Sequence, residues 1–446
     1  MTIAGDQVTY DHLLPSETAM VIGGGVAGMQ AALDIANQNY KVVLVEKTPS
    51  IGGVMAMLDK TFPTLDCSAC ILTPRLSEVA RHPNIELLTY SEVIGVTGKA
   101  GDFRVKVLRR ARKVDEEKCS GCGDCVPHCP VEVQNEFDQD LGFRKAIYIG
   151  FPQSTPLVYT IDTENCIKCR MCEKSCSRDA IMLDAEDEEV EIPVGAIVVA
   201  TGYQLYDVTK YPRLGYGIYK NVMHALEYER VINAAGPSGG HLMRLSDGKI
   251  PKSIGFIQCV GARDVEKGVP NCSRICCMYS IKNGVMAFEL AHDYVKDVTL
   301  YYADLRAFGK GFEEFKEMAK ERFGVKFIRG RVGEVSENPK NNNLIVRVEN
   351  TESGKFLENE HELVVISPGI LPPKTLKELS AHMGLELDID GFISVENATI
   401  TPVDTTVPGI YVCGCAEAPK DIPDSVAAGS AAAMRASITL SRGGAA

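Results

Sequence analysis

Short apolar runs alternate with helical stretches at the start of the chain, as they do in a parallel α/β fold. Residues 19–22 form one continuous apolar run, and the predicted strand 41–45, which is apolar from Val42 onward, ends at Glu46. Between them lie a glycine-rich turn, residues 23–28, and a helical stretch, residues 29–37. Uninterrupted apolar strands joined by a helix predict parallel neighbours that are buried on both faces.

The turn has the glycine spacing of a dinucleotide-binding site. In the G-x-G-x-x-G pattern the first glycine makes the tight turn, the second admits the pyrophosphate, and the third lets the helix pack on the strand. The pyrophosphate then lies at the positive end of the helix, and Glu46 stands where a carboxylate binds a ribose hydroxyl. The three glycines are Gly23, Gly25 and Gly28. Together these features predict a bound dinucleotide.

Three later features favour FAD. Lys47 and the pair Gly52-Gly53 follow the first unit, as in flavoproteins with two dinucleotide-binding domains. Residues 194–202 form an apolar run that ends in an Ala-Thr-Gly turn, and residues 409–414 form a strand before a small-residue helix from Asp424. The positive N-terminus of that helix would point at the flavin ring. We predict FAD contacts at Gly23, Gly25, Gly28, Glu46, Lys47, Gly52, Gly53, Thr201, Gly202, Gly414, Ser425 and Val426.

A cysteine-rich insert interrupts the FAD-binding domain, and a second α/β unit follows it. Its strands are predicted at 254–260, 298–302, 325–329, 343–349 and 363–367. This unit has no phosphate-binding glycine pattern, so we expect a domain that kept a nucleotide-binding fold and lost its nucleotide. The predicted boundaries are 1–113, 186–250 and 371–446 for the FAD-binding domain, 114–185 for the insert and 251–370 for the second unit.

The insert contains two cysteine runs with the spacing of bacterial ferredoxins that hold two [4Fe–4S] clusters. Each run has the form C-x2-C-x2-C-x3-C, with proline after the first run and Ser177 after the second. Three closely spaced thiolates bind one cube, and the fourth cysteine binds the other. One cluster is predicted on Cys119, Cys122, Cys125 and Cys176, and the other on Cys166, Cys169, Cys172 and Cys129. Structural zinc is the competing interpretation.

A third group consists of Cys259, Cys272, Cys276 and Cys277, and it fits no standard ferredoxin pattern. We prefer an unusual third [4Fe–4S] cluster at this group. The alternatives are a reactive thiol pair or buried cysteines that pack as small apolar side chains.

Two close pairs of cysteines remain, Cys67 with Cys70 and Cys413 with Cys415. The first pair follows the Gly52-Gly53 loop and could be a redox dithiol, part of a cluster completed by a partner subunit, or a structural feature. Cys415 stands where related flavoproteins usually have an Asp that holds the FAD ribityl chain.

Composition narrows the class of protein further. The chain has 446 residues, enough for two or three domains, and a net charge of −12. That charge argues against binding nucleic acid, because no basic surplus neutralises phosphates. No apolar run approaches the roughly 20 residues of a membrane span, and residues 1–16 lack the pattern of a signal peptide. We therefore predict a cytoplasmic protein, where sixteen cysteines indicate metal–sulfur chemistry rather than disulfides.

The order of these parts resembles the HdrA family of heterodisulfide reductase components over nearly the whole chain. The resemblance rests on the G-x-G-x-x-G half, the inserted ferredoxin and the segments 259–282, 304–311 and 420–425. It looks like the short form of this family, without an extra N-terminal domain and a C-terminal second ferredoxin. The implied fold is α/β, a thioredoxin-reductase-like flavoprotein with two dinucleotide-binding domains and an inserted bacterial-type ferredoxin domain.

The resemblance implies an oxidoreductase subunit that performs flavin-based electron bifurcation or confurcation. The protein would tune the flavin and position the clusters as separate electron exits. Lys282 and Glu229 match the family's proposed flavin-proximal pair, whereas two residues on helix surfaces are the alternative. The implied partners are HdrB- and HdrC-like components of heterodisulfide reductase, ferredoxin and an electron-donor subunit. A homodimer within the complex is compatible with them.

Two other functions remain open. The first is an electron-relay adaptor that passes electrons on without splitting them, for example in a class II benzoyl-CoA reductase-type complex. The second is a pyridine-nucleotide-dependent disulfide reductase. It would need Cys67 and Cys70 as its dithiol and a nucleotide site that the second α/β unit does not display.

Overall fold

The computed structural model describes residues 9–10 and 12–443. Most of the N-terminal stretch inspected for a signal peptide lies outside these residues, as do the outermost residues of the predicted segments 1–113 and 371–446. In the described part of the chain, no helix is both long and apolar enough to span a membrane.

A seven-stranded sheet forms the centre of the FAD-binding part, and its strands come from three separate stretches of the chain. Five neighbouring strands are parallel, so that Val21 pairs with Val198, which in turn pairs with Tyr411. Every residue of Thr18–Ile22 is buried, as expected for a strand covered on both faces. In spatial order the strands are Val395–Asn397, Thr401–Thr405, Ile410–Val412, Ala196–Val199, Thr18–Ile22, Lys41–Glu46 and Ile85–Thr89.

The α-helices of the described residues are numbered here in chain order. They are α1 (Val26–Ala36), α2 (Ser68–Arg81), α3 (Met171–Ser175), α4 (Ala225–Ile232), α5 (Cys276–Leu290), α6 (Phe312–Glu321), α7 (Leu376–Met383) and α8 (Ile422–Ser441). Short 3-10 helices are Pro15–Glu17, Gly53–Met57, Glu136–Asp138, Val208–Lys210, Pro212–Leu214 and Gly414–Ala416. α1 starts three residues before the predicted stretch, so Gly28 belongs to its first turn.

Glycines allow α1 to pack closely on the strand turn and on α8. A Cβ added to Gly28 would lie 1.9 Å from the carbonyl oxygen of Gly23, and one added to Gly429 would lie 2.5 Å from that of Ala27. No side chain fits at such distances, so both positions require glycine. This close packing fixes the N-termini of α1 and α8 relative to the central sheet.

The inserted domain leaves and rejoins the FAD-binding part at one point. Asp102–Arg109 and Glu188–Val194 are antiparallel neighbours, and Arg109 pairs with Glu188 at the base of the insert, with an ion pair of 3.2 Å. Ser91–Lys99 completes this three-stranded sheet. The sequence did not predict the pairing of Asp102–Arg109 with Glu188–Val194, because it joins strands on either side of the insert.

The insert itself contains only short elements around a small core. Glu132–Gln134 pairs with Phe143–Lys145, and Ile147–Tyr148 pairs with Thr160–Ile161. Its apolar cluster combines buried aliphatic residues with cysteines, which are themselves partly or fully buried.

The second α/β unit has a five-stranded parallel sheet that shares one apolar cluster with α4, α5 and α6. Its strands in spatial order are Val222–His224, Leu363–Pro368, Ser253–Val260, Asp297–Tyr302 and Lys326–Arg329. The strand predicted at 343–349 lies instead in a separate antiparallel sheet, formed by Val332–Glu337, Leu344–Asn350 and Lys355–His361. A two-stranded pair of Gln204–Leu205 and Ile370–Leu371 links the two α/β units.

Candidate flavin and iron–sulfur sites

A large cavity of about 500 Å3 lies where the strands of the central sheet end. Gly23, Thr201 and Gly414 each follow a parallel strand and line this cavity. The carboxyl ends of parallel strands are the usual position of a nucleotide site in an open α/β sheet. Of the predicted FAD contacts, the lining includes Gly23, Gly25, Glu46, Gly53, Thr201, Gly202, Gly414 and Ser425.

The glycine turn leaves room for a phosphate at the start of α1. Gly25 is the N-cap of α1, and a Cβ added to it would meet no atom within 4 Å. The exposed N–H groups and the dipole of α1 therefore face open space in the cavity, which suits a pyrophosphate. The N-terminus of α8 approaches the same cavity through Ile422, Pro423 and Ser425. α8 begins two residues before the predicted Asp424.

Two polar groups of the cavity point to a ribose or flavin partner. Glu46 Oε2 accepts a hydrogen bond of 2.7 Å from the amide of Gly24, which holds the carboxylate beside the glycine turn. Thr201 Oγ1 is buried without any hydrogen-bond partner. An orphaned buried hydroxyl is costly, so a polar ligand that satisfies it fits the site. The lining residues thus fit FAD.

Four predicted contacts lie outside the lining. Gly28 packs inside α1 against the turn, and Gly52 donates a hydrogen bond of 2.8 Å to the carbonyl of Gly24. Lys47 forms an ion pair of 3.0 Å with Glu92. Val426 is half-buried in the first turn of α8. Gly28 and Gly52 therefore shape the turn rather than border the cavity.

Lys282 and Glu229 meet inside the protein at the cavity wall. Their side chains are 1% and 3% exposed, and Lys282 Nζ forms an ion pair with Glu229 Oε1. Glu229 Oε2 also accepts a hydrogen bond of 3.1 Å from the amide of Asp59. Both residues line the cavity. The alternative of two helix-surface residues therefore fails, because both side chains are buried and paired.

α4 links this ion pair to the inserted domain. Arg230, next to Glu229, is 1% exposed and forms an ion pair of 2.9 Å with Asp138 of the insert. Arg230 Nη1 donates a hydrogen bond of 3.1 Å to the carbonyl of Met57. No sequence pattern indicated this contact, because Arg230 and Asp138 are far apart along the chain.

A second buried carboxylate caps α4. Glu227 Oε1 accepts a hydrogen bond of 2.9 Å from the hydroxyl of Tyr216, and Glu227 Oε2 accepts one of 2.6 Å from the amide of His224. Burial raises the pKa of Glu227 to about 7 and lowers the pKa of His224 to about 4. The two side chains form a capping box at the helix start.

The insert gathers its eight motif cysteines at two small hollows. One hollow is lined by Cys119, Cys122, Cys125 and Cys176, and the other by Cys129, Cys166, Cys169 and Cys172. In each hollow the fourth cysteine comes from the other run, which is the crossed arrangement that the spacing predicts. Within the described residues, no three metal-binding side chains converge on a position for a single ion. Four thiolates around a cube of four irons stand further apart than thiolates around one ion.

Two cysteines of the third group, Cys259 and Cys277, contact a third, Cys276. The thiol of Cys276 shares hydrogen bonds with Cys259 and Cys277, and all three are buried. The bond from Cys276 lowers the pKa of Cys259 to about 6, and Arg263 adds a favourable charge. Cys272 accepts a hydrogen bond of 3.4 Å from the amide of Arg274.

α5 connects this group to the cavity. Cys276 and Cys277 begin the helix, and Tyr279 and Lys282 further along it line the cavity. Residues three apart on a helix are neighbours, so Cys276, Tyr279 and Lys282 follow one side of it. Sequence patterns did not single out Tyr279.

The two remaining cysteine pairs differ in exposure. Cys413 and Cys415 are buried, and Cys415 lines the cavity and donates to the carbonyl of Lys420 at 3.4 Å. Burial raises the pKa of Cys413 to about 12. Cys67 is half-buried and Cys70 is exposed, both at the start of α2.

Family models match three parts of the chain. A model described as a 4Fe-4S dicluster domain matches residues 118–181, and one described as FAD dependent oxidoreductase matches residues 19–64. A pyridine nucleotide-disulphide oxidoreductase model matches residues 283–433. These matches confirm FAD and [4Fe–4S] clusters as the cofactors.

Solved structures with a similar fold include two thioredoxin reductases. The T. acidophilum enzyme has a TM-score of 0.52 and 15% identity over 95% of this chain and 98% of its own. The Lactococcus lactis enzyme has a TM-score of 0.52 and 15% identity over 96% of this chain and 99% of its own. The predicted thioredoxin-reductase-like α/β fold is confirmed. The fold and cofactors together define an FAD- and iron–sulfur-containing oxidoreductase.

Curated relatives that resemble most of this chain are components of heterodisulfide reductases. The HdrA component of the H(2):CoB-CoM heterodisulfide,ferredoxin reductase of Methanothermobacter marburgensis is 51% identical over 96% of this chain and 64% of the relative. The iron-sulfur HdrA component of the CoB–CoM heterodisulfide reductase of Methanocaldococcus jannaschii is 51% identical over 96% of this chain and 65% of the relative. The chain is a homologue of HdrA, and it spans just under two thirds of the length of these relatives.

Proposed function

We propose that this chain is the flavin-based electron-bifurcating or confurcating subunit of a heterodisulfide reductase-like complex. The observation that carries the proposal is the buried Lys282–Glu229 pair at the cavity wall. Each partner belongs to a helix that leads to a different group of cysteines. A flavin in this cavity would therefore stand at a junction between two electron exits.

The two exits follow from the placement of α5 and α4. α5 starts at Cys276 and Cys277 and reaches the cavity through Lys282. α4 brings Glu229 to the cavity and anchors the two-cluster insert through Arg230 and Asp138. Separate routes are what an electron pair needs if its two electrons are to reach different acceptors.

The buried charges would tune the flavin. An ammonium in a low-dielectric pocket favours negative charge on a nearby ring, because water does not screen it there. Glu229 sets how much of the Lys282 charge the ring experiences. A protein that only relays electrons needs no such buried pair. Burying one unbalanced charge costs on the order of several kcal/mol.

The names of relatives suggest the partners. The Methanothermobacter marburgensis relative is named for both a heterodisulfide and ferredoxin, which are two acceptors of different chemistry. We propose that this chain works in the cytoplasm with HdrB- and HdrC-like components, ferredoxin and an electron-donor subunit.

A redox titration of the flavin tests the proposal. Bifurcation requires crossed one-electron potentials, so we expect no flavin radical in the electron paramagnetic resonance spectrum at any potential. A radical that accumulates over a wide potential range would contradict bifurcation and support the electron-relay adaptor.

A charge variant tests the role of the pair. Lys282→Met should lower the two-electron potential of the flavin by roughly 30 mV or more, which corresponds to about 1.4 kcal/mol for a two-electron couple. Lys316→Met breaks another lysine–glutamate pair, with Glu313, outside the cavity lining and serves as the control. Equal potentials in the wild type and Lys282→Met would show that the pair has only a structural role.

A further inference from the structure

The pair Cys67 and Cys70 belongs to none of the three cysteine groups described above. Cys67 is the N-cap of α2, and its sulfur accepts a hydrogen bond of 3.2 Å from the amide of Cys70. The thiol of Cys70 also bonds to the sulfur of Cys67, which raises the pKa of Cys70. The two sulfur atoms are therefore neighbours in the first turn of α2. A spacing of three residues in a helical turn is compatible with a disulfide.

The pair lies between two residues that line the flavin cavity, although neither cysteine is itself part of the lining. Asp66, just before Cys67, and Ile71, just after Cys70, both line the cavity, and both are exposed to solvent. Lys60 also lines the cavity and pairs with Cys67 through a short antiparallel bridge. The charge of its ammonium partly opposes the rise in the pKa of Cys70 that the bond from Cys67 causes.

Two hydrogen bonds join the pair to the charged wall of the cavity. The amide of Asp59 donates a hydrogen bond of 3.1 Å to Glu229, and the amide of Ser68 donates one of 3.0 Å to the carbonyl of Asp59. Ser68 Oγ donates a hydrogen bond of 2.7 Å to the carbonyl of Met55, which also lines the cavity. The start of α2 is thus fixed to the cavity wall, while Cys70 stays open to solvent.

We propose that Cys67 and Cys70 form a dithiol–disulfide centre that exchanges two electrons between the flavin and an external disulfide. The inference rests on the proposed flavin site. In one direction, the Cys67–Cys70 disulfide takes two electrons and two protons from the reduced flavin and becomes a dithiol. The exposed Cys70 thiolate then attacks the external disulfide and releases one thiol. Cys67 displaces the second thiol and restores the internal disulfide.

The partition of roles follows from exposure. Cys70 is exposed and can meet a substrate, whereas Cys67 is half-buried and its sulfur accepts the hydrogen bond from the amide of Cys70. Cys70 is therefore the attacking thiol and Cys67 the resolving thiol. Loss of the resolving thiol should trap the substrate as a mixed disulfide on Cys70.

The test uses the full chain loaded with FAD and clusters under anaerobic conditions. Oxidised glutathione is added, free thiols are alkylated, and the digested protein is analysed by mass spectrometry. We expect a peptide cross-linked between Cys67 and Cys70. Photoreduction of the flavin before alkylation should remove this cross-link, with one disulfide lost for each reduced flavin reoxidised.

Variants separate the proposal from its alternatives. Cys67→Ser should hold glutathione on Cys70, Cys70→Ser should hold none, and the control Thr73→Ser should keep the internal disulfide. A loss of about four irons per chain in Cys67→Ser would identify a cluster ligand and overturn the proposal. A cross-link that reduced flavin cannot remove would overturn it as well. Absence of bound FAD would overturn the flavin site instead, and the glutathione experiment would still report on the thiol pair.

Discussion

The inserted ferredoxin domain and the flavin cavity use opposite ways of building a site. The insert takes its ligands from two compact runs, residues 119–129 and 166–176, and each hollow contains cysteines of both runs. The cavity is lined by residues from distant stretches, such as Gly23, Lys282 and Gly414. A ligand motif can therefore be read from spacing, whereas the cavity exists only once two α/β units have folded together.

The two regions also differ in what stabilises them. The central sheet buries a large aliphatic core, which includes fully buried Val21, Leu44 and Val198. The insert has a small core in which cysteines, among them Cys125 and Cys172, take the place of aliphatic side chains. Small domains with few apolar contacts depend on their metal for folding. We expect the insert to depend on its clusters and the central sheet to be independent of them.

The largest effect should come from removing one cluster ligand. Cys125 is buried at its hollow, and Cys125→Ala should remove about four irons per chain and unfold the insert. Limited proteolysis should then cut within residues 114–185, while FAD remains bound to the rest. The exposed neighbour of Cys129, His128, gives the control His128→Ala, which should keep all irons. An insert that resists proteolysis without its cluster would contradict this dependence.

Two glycines of one turn should separate folding from cofactor binding. A Cβ on Gly28 would overlap the Gly23 carbonyl at 1.9 Å, so Gly28→Val should destabilise the FAD-binding domain by about 3 kcal/mol. A Cβ on Gly25 meets nothing within 4 Å, so Gly25→Val should leave the melting temperature of the apoprotein unchanged and block FAD. Thermal melting and flavin absorbance measure the two effects.

The results for the two glycine variants sharpen the comparison between the flavin cavity and the inserted domain. Equal loss of stability in both variants would show that Gly25, like Gly28, is a packing residue. Normal flavin content in Gly25→Val would place the pyrophosphate elsewhere in the cavity. In either variant the iron of the insert should be retained, because its ligands lie outside this turn.

The smallest effect concerns the carboxyl group that caps α4. The folded pKa of Glu227, about 7, exceeds its ordinary value of 4.5, so this group stabilises the fold below pH 4.5 and loses that contribution as pH rises through 7. The folded pKa of His224, about 4, lies below its ordinary value of 6.5, so its contribution to stability changes with pH in the opposite direction. The two contributions to the pH dependence of stability should largely cancel in the wild type between pH 5 and 6.5.

The variant Glu227→Gln should reveal the pH dependence of stability that His224 causes. The melting temperature of this variant should rise relative to the wild type as pH increases from 5 to 7.5, by roughly 2–4 °C for each kcal/mol. Calorimetry across this pH range measures the difference. Parallel curves for the two proteins would mean that Glu227 is already ionised in the folded state.

Several parts of the fold could be read from local patterns, and others could not. The strands at 19–22 and 41–45 were predicted because continuous apolar runs mark buried parallel strands. The pairing of Arg109 with Glu188 at the base of the insert was missed because it spans the whole insert. The start of α1 was placed too late because Gly28, a turn residue by its pattern, lies within the helix.

The candidate site divides in the same way. The cluster cysteines and most cavity glycines came from short motifs, in which chemistry fixes the spacing. The contact of Arg230 with Asp138 and the bond from Asp59 to Glu229 had no such motif. Their positions depend on how α4 packs against segments that are distant in the chain.

The sequence by itself determined the cofactor class, the two ferredoxin motifs and the α/β architecture, because backbone turns and thiolate geometry impose fixed local spacings. Only the tertiary structure decided that Lys282 and Glu229 are buried and paired, and that Cys67 and Cys70 lie between residues that line the cavity. Burial and long-range contact arise from the packing of whole elements. No local pattern encodes them.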